Sequence, residues 1–477
     1  MTNSLTTLFA PAVPEIFLLV MICVIMLVDL FLPASRRGVT YVLSQLTLIV
    51  LAFVTINHAT ATTVYTFDHQ FLVDRLSVVL KCFMYLMVFL LFLYSRRYVA
   101  QRQIMRGEFH VLILLSLLGG MVIASAASLL TLYLGLELMS LPIYALVAIR
   151  RDAESGGEAA MKYFVMGAIA SGFLLYGMSL VYGISGSLQL TQIANAVEQG
   201  MQHSALLLFG LMFFIVGIGF KFGLAPFHMW VPDVYQGSPT SITALIGTMP
   251  KLAAFALLIR LIVDGLHGLQ VDWQVWFYIL AIISIFLGNV LAVVQHNIKR
   301  MFAYSTIAHV GFIFLGIAIG TIQGLNAALF YTIVYVIMAI GGFGVVLMLS
   351  RQGLEVDNIS DFAGLNARHV WLAFLMMLLL LSMAGVPPLL GFDAKLLIIN
   401  ALVDQHQYFL AGFALVMSVV GAYYYIRVIK VMYFDQPADQ VAIKPAHDGM
   451  VVLSINGLAV LVLGFMPSVL MGVCHLF

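Results

Sequence analysis

The chain has 477 residues, of which only 9% are charged and 63% apolar, with a net charge of +1. A mean hydropathy of +1.07 and so little charge exclude an ordinary soluble protein, whose residues are about 25% charged. The near-zero net charge points to no nucleic-acid partner and no acidic tail. About 300 apolar residues are enough for roughly fourteen spans of about 20 residues each, so the sequence reads as an all-α polytopic membrane protein.

The first apolar run, 14–32, has no Lys or Arg before Arg36. It lacks the basic start of a cleaved signal peptide and reads as a retained helix. Polar or Gly/Pro-bearing breaks then mark spans at 39–57, 73–94, 109–125, 128–149, 158–183 and 204–225. The second half gives 239–263, 273–294, 301–320, 324–349, 370–401, 406–433 and 448–472. A very short loop divides the fourth span from the fifth. The stretch 189–202 reads as a short interfacial helix. Cys23, Cys82 and Cys474 lie far apart without a CxxC or a Cys/His cluster, a pattern that suits neither a metal centre nor a disulfide framework.

Charge placement orients these spans. The odd-numbered loops hold Arg36, Arg37, Arg96, Arg97, Arg102, Arg106, Arg150, Arg151, Lys299, Arg300, Arg351, Arg368 and Lys444, and the even-numbered loops hold no Lys or Arg. Loop seven, about 226–238, has no basic residue. The positive-inside rule makes the odd loops cytoplasmic and puts both termini on the outer face. Of the nine remaining basic residues, Arg75, Lys162, Arg260, Arg427 and Lys430 sit near span ends, where long side chains reach the interface. Lys81, two turns into the third span, fits either snorkelling or burial.

Lys221, Lys251 and Lys395 fall well inside apolar segments, as does Glu137 in SLLTLYLGLELMSLPIYAL. Each such group costs about 2.5–3.5 kcal/mol at a helix centre, so four cost roughly 10–14 kcal/mol, comparable with the net stability of a whole protein. They must face the bundle interior, pair, meet water or lose their charge. Burial favours the neutral amine and a nearby carboxylate favours the ammonium. A lysine poised between the two changes protonation when the carboxylate moves or is neutralised, and a row of such groups is a proton relay. A buried Lys–Glu pair that only fixes the fold is the plainer alternative, but one acid cannot neutralise three lysines.

Two of the lysines lie beside helix breaks. Lys221 precedes Pro226 in GIGFKFGLAPFHMWVPDVYQGSP, and Lys395 follows Pro387 and Pro388 in SMAGVPPLLGFDAK. Broken helices near the midplane mark ion paths in transporters. The pattern also repeats: Glu137 and Lys221 are 84 residues apart, His309 and Lys395 are 86 apart, and the pitch between the halves is 172 and 174. Five spans separate the equivalents, an odd number that inverts the topology. His309, in YSTIAHVGF, reads as a relay group or a satisfied core histidine. His228 and Asp233 flank the first break. Asp393 either modulates Lys395 or caps the second half-helix. GIGFKFG lacks the GxGxxG spacing, and no phosphate loop, haem motif or iron–sulfur spacing occurs, so no cofactor is expected in this chain.

LGLELMSLPIYAL around Glu137, GFKFGLAPFHMWVPDVYQGSPT around Lys221, MPKLAAF around Lys251, NIKRMFAYSTIAHVGF around His309 and AGVPPLLGFDAK around Lys395 resemble the antiporter-like subunits of respiratory complex I. PDVYQGSPT is most similar to the subunit N type (mitochondrial subunit 2). The resemblance, from about the fourth span to the thirteenth, implies about fourteen helices with two inverted five-helix repeats containing discontinuous helices. The implied divisions are helices 1–3 in 1–108, the first repeat in 109–265, the second in 273–433 and a last helix in 446–477. Glu137, Lys221, Lys251, His309 and Lys395 match the glutamate, lysines and histidine of the family's central hydrophilic axis. Asp393 departs from the family, which usually has a small or apolar residue there.

The implied function is proton translocation in a type 1 NADH:quinone oxidoreductase. Glu137 would set the protonation of Lys221, Lys251 and His309 would pass the proton laterally, and Lys395 would exchange it with one side. NADH, FMN, iron–sulfur clusters and quinone would be handled by partner subunits, both membrane and peripheral. The expected location is the bacterial plasma (inner) membrane, with a plastid thylakoid as the alternative. The rival readings are a subunit of a sodium/proton antiporter complex, against which PDVYQGSPT speaks, and a scaffold with vestigial charges.

Overall fold

The computed structural model describes residues 8–476 apart from 34–35, 61, 103, 105–106, 151–152, 201–203, 351–354 and 437–446. Of the residues that orient the chain, Arg106, Arg151, Arg351 and Lys444 lie outside the described residues. Helix dominates because a helix satisfies each backbone N–H and C=O within its own segment, as hydrocarbon surroundings require.

In chain order the helices are α1 (Val13–Phe31), α2 (Gly38–Asn57), α3 (Arg75–Gln101), α4 (Gly107–Ala124), α5 (Leu129–Val147), α6 (Glu154–Ser185) and the short α7 (Leu190–Glu198). Then come α8 (Ala205–Phe222), α9 (Trp230–Gly237), α10 (Thr240–Ile246), α11 (Met249–Leu258), α12 (Gln270–Val293), α13 (Ile298–Ala318) and α14 (Ile322–Leu349). The last are α15 (Leu365–Arg368), α16 (Val370–Ala384), α17 (Leu390–Asp404), α18 (Tyr408–Phe434), α19 (His447–Phe465) and α20 (Pro467–Cys474). A π-helical turn, Ile259–Asp264, extends α11.

Among the described residues, 13 segments are long and apolar enough to cross a membrane. The fourteenth span is the broken pair α16 and α17, each only 15 residues long. This is the expected all-α polytopic membrane protein with discontinuous helices, and α7 falls where the interfacial helix is expected.

A small hairpin escapes the sequence reading because its strands, β1 (Val64–Thr66) and β2 (Phe71–Val73), are only three residues long. It docks on the short turn between α4 and α5. Leu72 N donates to Ser125 O at 2.8 Å and Ala127 N donates to Gln70 O at 3.1 Å. Ser128 closes the turn as the cap of α5, its hydroxyl accepting from Thr131 N at 3.2 Å.

The chain forms two compact units. The first comprises Met1–Phe92, Gln103–Lys221 and Met249–Trp273. Within it α1, α5 and α11 all lie against α4. Gly119 permits the closest of these approaches, since a Cβ there would stand 2.2 Å from the backbone nitrogen of Met139. The second unit comprises Leu93–Arg102, Phe222–Thr248 and Gln274–Phe477. Here α14 is central, flanked by α10, α13, α16, α17 and α19.

Two basic residues sit elsewhere than charge counting places them. Arg260, expected to reach the interface, is buried because the π-turn that carries it lies inside the protein. It binds Asp74 at 2.8 Å, Asp264 at 2.9 Å and the Ala124 carbonyl at 3.0 Å. Lys299, counted as a loop marker, is buried because the segment after 354 covers the start of α13: Ile298 N donates to Asp357 O at 2.7 Å. Its ammonium pairs with Asp357 at 2.9 Å and donates to Ser238 O at 3.3 Å. Lys81 is buried too, 2.5 Å from Glu15. Arg75, Lys162 and Lys430 are exposed, as span-end residues should be.

Candidate functional site

The five candidate residues fall into two clusters, one in each unit. In the first, Glu137 and Ser140 stand one turn apart on α5. The Lys221 ammonium, in the last turn of α8, donates to the Ser140 hydroxyl at 2.9 Å, and that hydroxyl donates to Leu136 O at 2.6 Å. Glu137 accepts from Ser171 of α6 at 2.5 Å. The ammonium's hydrogen bond thus goes to Ser140, one turn along α5 from the carboxylate. Lys251, the third residue of α11, is 1% exposed, and its ammonium lies 3.5 Å from the carbonyl of Lys221. Ser140, Lys221 and Lys251 are buried, and the Glu137 carboxylate beside them is half-buried.

In the second cluster His309 of α13 has both ring nitrogens engaged. Nδ1 meets the Tyr331 hydroxyl at 2.8 Å and Nε2 meets the Tyr425 hydroxyl at 3.0 Å. Tyr425 continues to Ser305, and Tyr335 bonds Thr306 at 2.8 Å. Ser305, Thr306 and Tyr335 line a cavity of about 10 Å³, the size of a single water. A ring whose two nitrogens both meet rotatable hydroxyls can gain a proton on one side as it loses one on the other. Lys395 belongs to the same unit, on α17. Its ammonium donates to Ala384 O at 2.8 Å and lies 5.5 Å from the centroid of Phe312.

Both breaks are built alike. Each has a glycine with positive φ, Gly223 (φ 75) or Gly385 (φ 86), and three residues later a cis proline, Pro226 or Pro388. The freed backbone is re-satisfied by serines: Ala225 N donates to Ser284 at 2.9 Å and Gly391 N to Ser382 at 3.0 Å. Lys221 precedes its break and Lys395 follows its own. At Gly385 bare backbone is needed on two counts, since a Cβ would meet Lys395 Cδ at 2.9 Å and Nζ at 3.2 Å.

Asp393 stands in the first turn of α17, four residues after the N-cap residue Leu389. Asp233 pairs with Arg300 at 2.8 Å. His228 is half-buried, and burial holds its imidazole below the ordinary value despite a backbone bond at Pro226. The sequence reading missed Ser140, Ser171, Tyr331, Tyr335, Tyr425 and Glu15. One signal for the tyrosines was present: Tyr331 and Tyr335 are four apart, as are Ser305 and His309, so each pair shares a helix face. Among the described residues no group of three or more His, Cys, Asp or Glu side chains is arranged to hold a metal ion.

Residues 126–421 match the family described as NADH:quinone oxidoreductase/Mrp antiporter, TM. NADH-quinone oxidoreductase subunit N of Thioalkalivibrio sulfidiphilus is 54% identical over 464 residues, 97% of each chain. The subunit N of Herminiimonas arsenicoxydans is 51% identical over 477 aligned positions, again 97% of each. Among solved structures, a chain of respiratory complex I from Thermus thermophilus superposes with a TM-score of 0.82 at 30% identity, covering 96% of this chain and 98% of that one.

Proposed function

Since this chain belongs to the NADH-quinone oxidoreductase subunit N family, within the NADH:quinone oxidoreductase/Mrp antiporter transmembrane family, we propose that it is a proton-translocating membrane subunit of a type 1 NADH:quinone oxidoreductase. It works with the other membrane and peripheral subunits of that complex. NADH, FMN, the iron–sulfur clusters and quinone are handled by those partners. The chain is a multi-pass bacterial membrane protein; in this reading it lies in the plasma membrane with both termini on the outer face.

The mechanism follows from the two clusters. Ser140 holds the Lys221 ammonium while the Glu137 carboxylate is engaged with Ser171. When the carboxylate's pull strengthens, the ammonium is favoured; when it weakens, burial favours the amine and a proton is released. Lys251, against the Lys221 carbonyl, is the next group in the first unit. In the second unit His309 transfers protons between its two phenols, and Lys395 exchanges with one side of the membrane. The clusters act in sequence, and redox energy reaches them as a conformational or electrostatic signal from partner subunits.

The observation that carries this reading is the Glu137–Ser140–Lys221–Lys251 array, a row of polar and titratable groups on apolar helices, buried except for the half-buried Glu137. The test is Lys221→Ala and Glu137→Gln in the complex reconstituted into proteoliposomes. Both should lower protons pumped per NADH oxidised. An unchanged ratio in both variants would overturn the relay.

A further inference from the structure

The buried pair Glu15–Lys81 has no role in that relay, yet it is built like a working site. Lys81 Nζ lies 2.5 Å from Glu15 Oε1, and the side chains are 2% and 8% exposed. Glu15 stands in the first turn of α1 and Lys81 two turns into α3. The other carboxylate oxygen, Oε2, is buried with no hydrogen-bond partner. Phe71 faces the ammonium, its ring centroid 5.4 Å away. The Tyr85 hydroxyl, one turn along α3 from Lys81, is bonded to Thr55 at 3.0 Å. A buried oxygen left unbonded penalises the anion more than the protonated acid.

Position is the second observation. From the hairpin end of α3 come Asp74 with its partner Arg260, then Lys81, then Met84. A Cβ on Gly120 of α4 would lie 3.0 Å from the Met84 sulfur and 3.4 Å from both the Met249 sulfur and Ala253 Cβ. With Asp74 on Arg260 and Met84 beside 249–253, α3 and α11 run antiparallel. Asp74 to Lys81 is about 10 Å of helix and Lys81 to Met84 about 4.5 Å. Lys81 thus stands within about one turn of the height of Lys251. In height the groups run from Lys251 past Lys81 and Glu15 to the Asp74–Arg260 ion pair, which stands at the face that carries the hairpin.

We propose that Glu15–Lys81 is a proton-exchange station between the central lysines and the hairpin face, an inference that rests on the relay reading above. In the resting pair Glu15 is a carboxylate and Lys81 an ammonium. A proton arriving from the central side binds Glu15, leaving a neutral acid beside the ammonium. The same proton departs toward the hairpin face and the ion pair re-forms. One proton is taken up, one is released, and no electron moves. Lys81 is the positioning residue that returns Glu15 to its charged form. A lysine does this as a point charge, whereas arginine would fix the carboxylate through two parallel bonds.

The test uses the whole complex in proteoliposomes and reads assembly together with protons pumped per NADH oxidised. Lys81→Arg retains an ion pair, and the double variant Glu15→Gln with Lys81→Met removes both charges so that neither is left alone. Both should assemble and pump about two-fold fewer protons per NADH or worse, a modest loss beside the roughly hundred-fold that a missing proton-transfer group can bring. The NADH-induced infrared difference spectrum should carry a carboxylic-acid band that shifts in heavy water and is missing from the double variant. A wild-type ratio in either variant, failure of both to assemble, or absence of that band overturns the proposal. If only one variant assembles, it decides. Lys221→Ala runs in parallel: pumping that survives it removes the relay reading itself, whereas loss there with wild-type pumping in the pair variants removes only this station.

Discussion

Arg260 shows how one side chain can gather the loose ends of several segments. Its guanidinium takes two carboxylates and a helix-terminal carbonyl at once, the planar fork matching more acceptors than an ammonium could. Removing Arg260 strands the half-buried Asp74 carboxylate and the Ala124 carbonyl, whereas the exposed Asp264 can turn to water, so the loss approaches but stays below the cost of about 3–5 kcal/mol for a fully buried pair. Arg260→Ala should therefore lower the thermal midpoint of the detergent-purified complex sharply, and Arg260→Lys should fall between; equal midpoints for all three would refute this. Asp74 gives the pH sense. Burial pushes its carboxyl up, but the guanidinium and two bonds from Ser77 outweigh burial and hold it below the ordinary value. A lowered carboxyl stabilises the fold in full above the unfolded value of about 3.9, and the contribution is lost as pH falls through the folded value. The Asp74 contribution should thus be constant near neutrality and disappear only in acid.

At the scale of elements, the broken helices place the chemistry, and Gly385 is the point at which the second break can be tested. The left-handed conformation costs a residue with a Cβ about 1–2 kcal/mol, and the added carbon would press on the Lys395 stem. Gly385→Ala should lower proton pumping about 5- to 30-fold if that energy falls on the active arrangement, measured in proteoliposomes at matched assembly; wild-type pumping would show that the break tolerates a side chain. The spans themselves were legible because about 20 apolar residues between charged loops admit few readings. Even the short α4–α5 turn was located. The hairpin was not, since VYT and FLV are too short for alternation to register. Glu15 was missed because an acid near a helix start reads as a terminal charge, and Arg260 because proximity to a span end implies water only when that end reaches the surface. The lysines were visible as isolated charges; their hydroxyl partners were not, because Ser and Tyr are unremarkable in any apolar helix.

For the whole molecule, orientation is the prediction with the widest reach. Tags at the two termini should react with a membrane-impermeant reagent in right-side-out vesicles, and reaction only after permeabilisation would reverse the proposed threading. The α4–α5 clasp, finally, bears on how force travels. Gly119 sets α4 against the backbone of Met139, two residues from Glu137, and the hairpin is bonded across the turn that joins the two helices. Glu137 is thus mounted on a stator, with no slack between its helix and the next. Lys221 sits instead two residues before a left-handed glycine, in the last turn of its helix. In the proposed relay, a stroke that changes their separation would then be delivered to the lysine, with the carboxylate as the fixed contact of the switch and the ammonium as its moving arm.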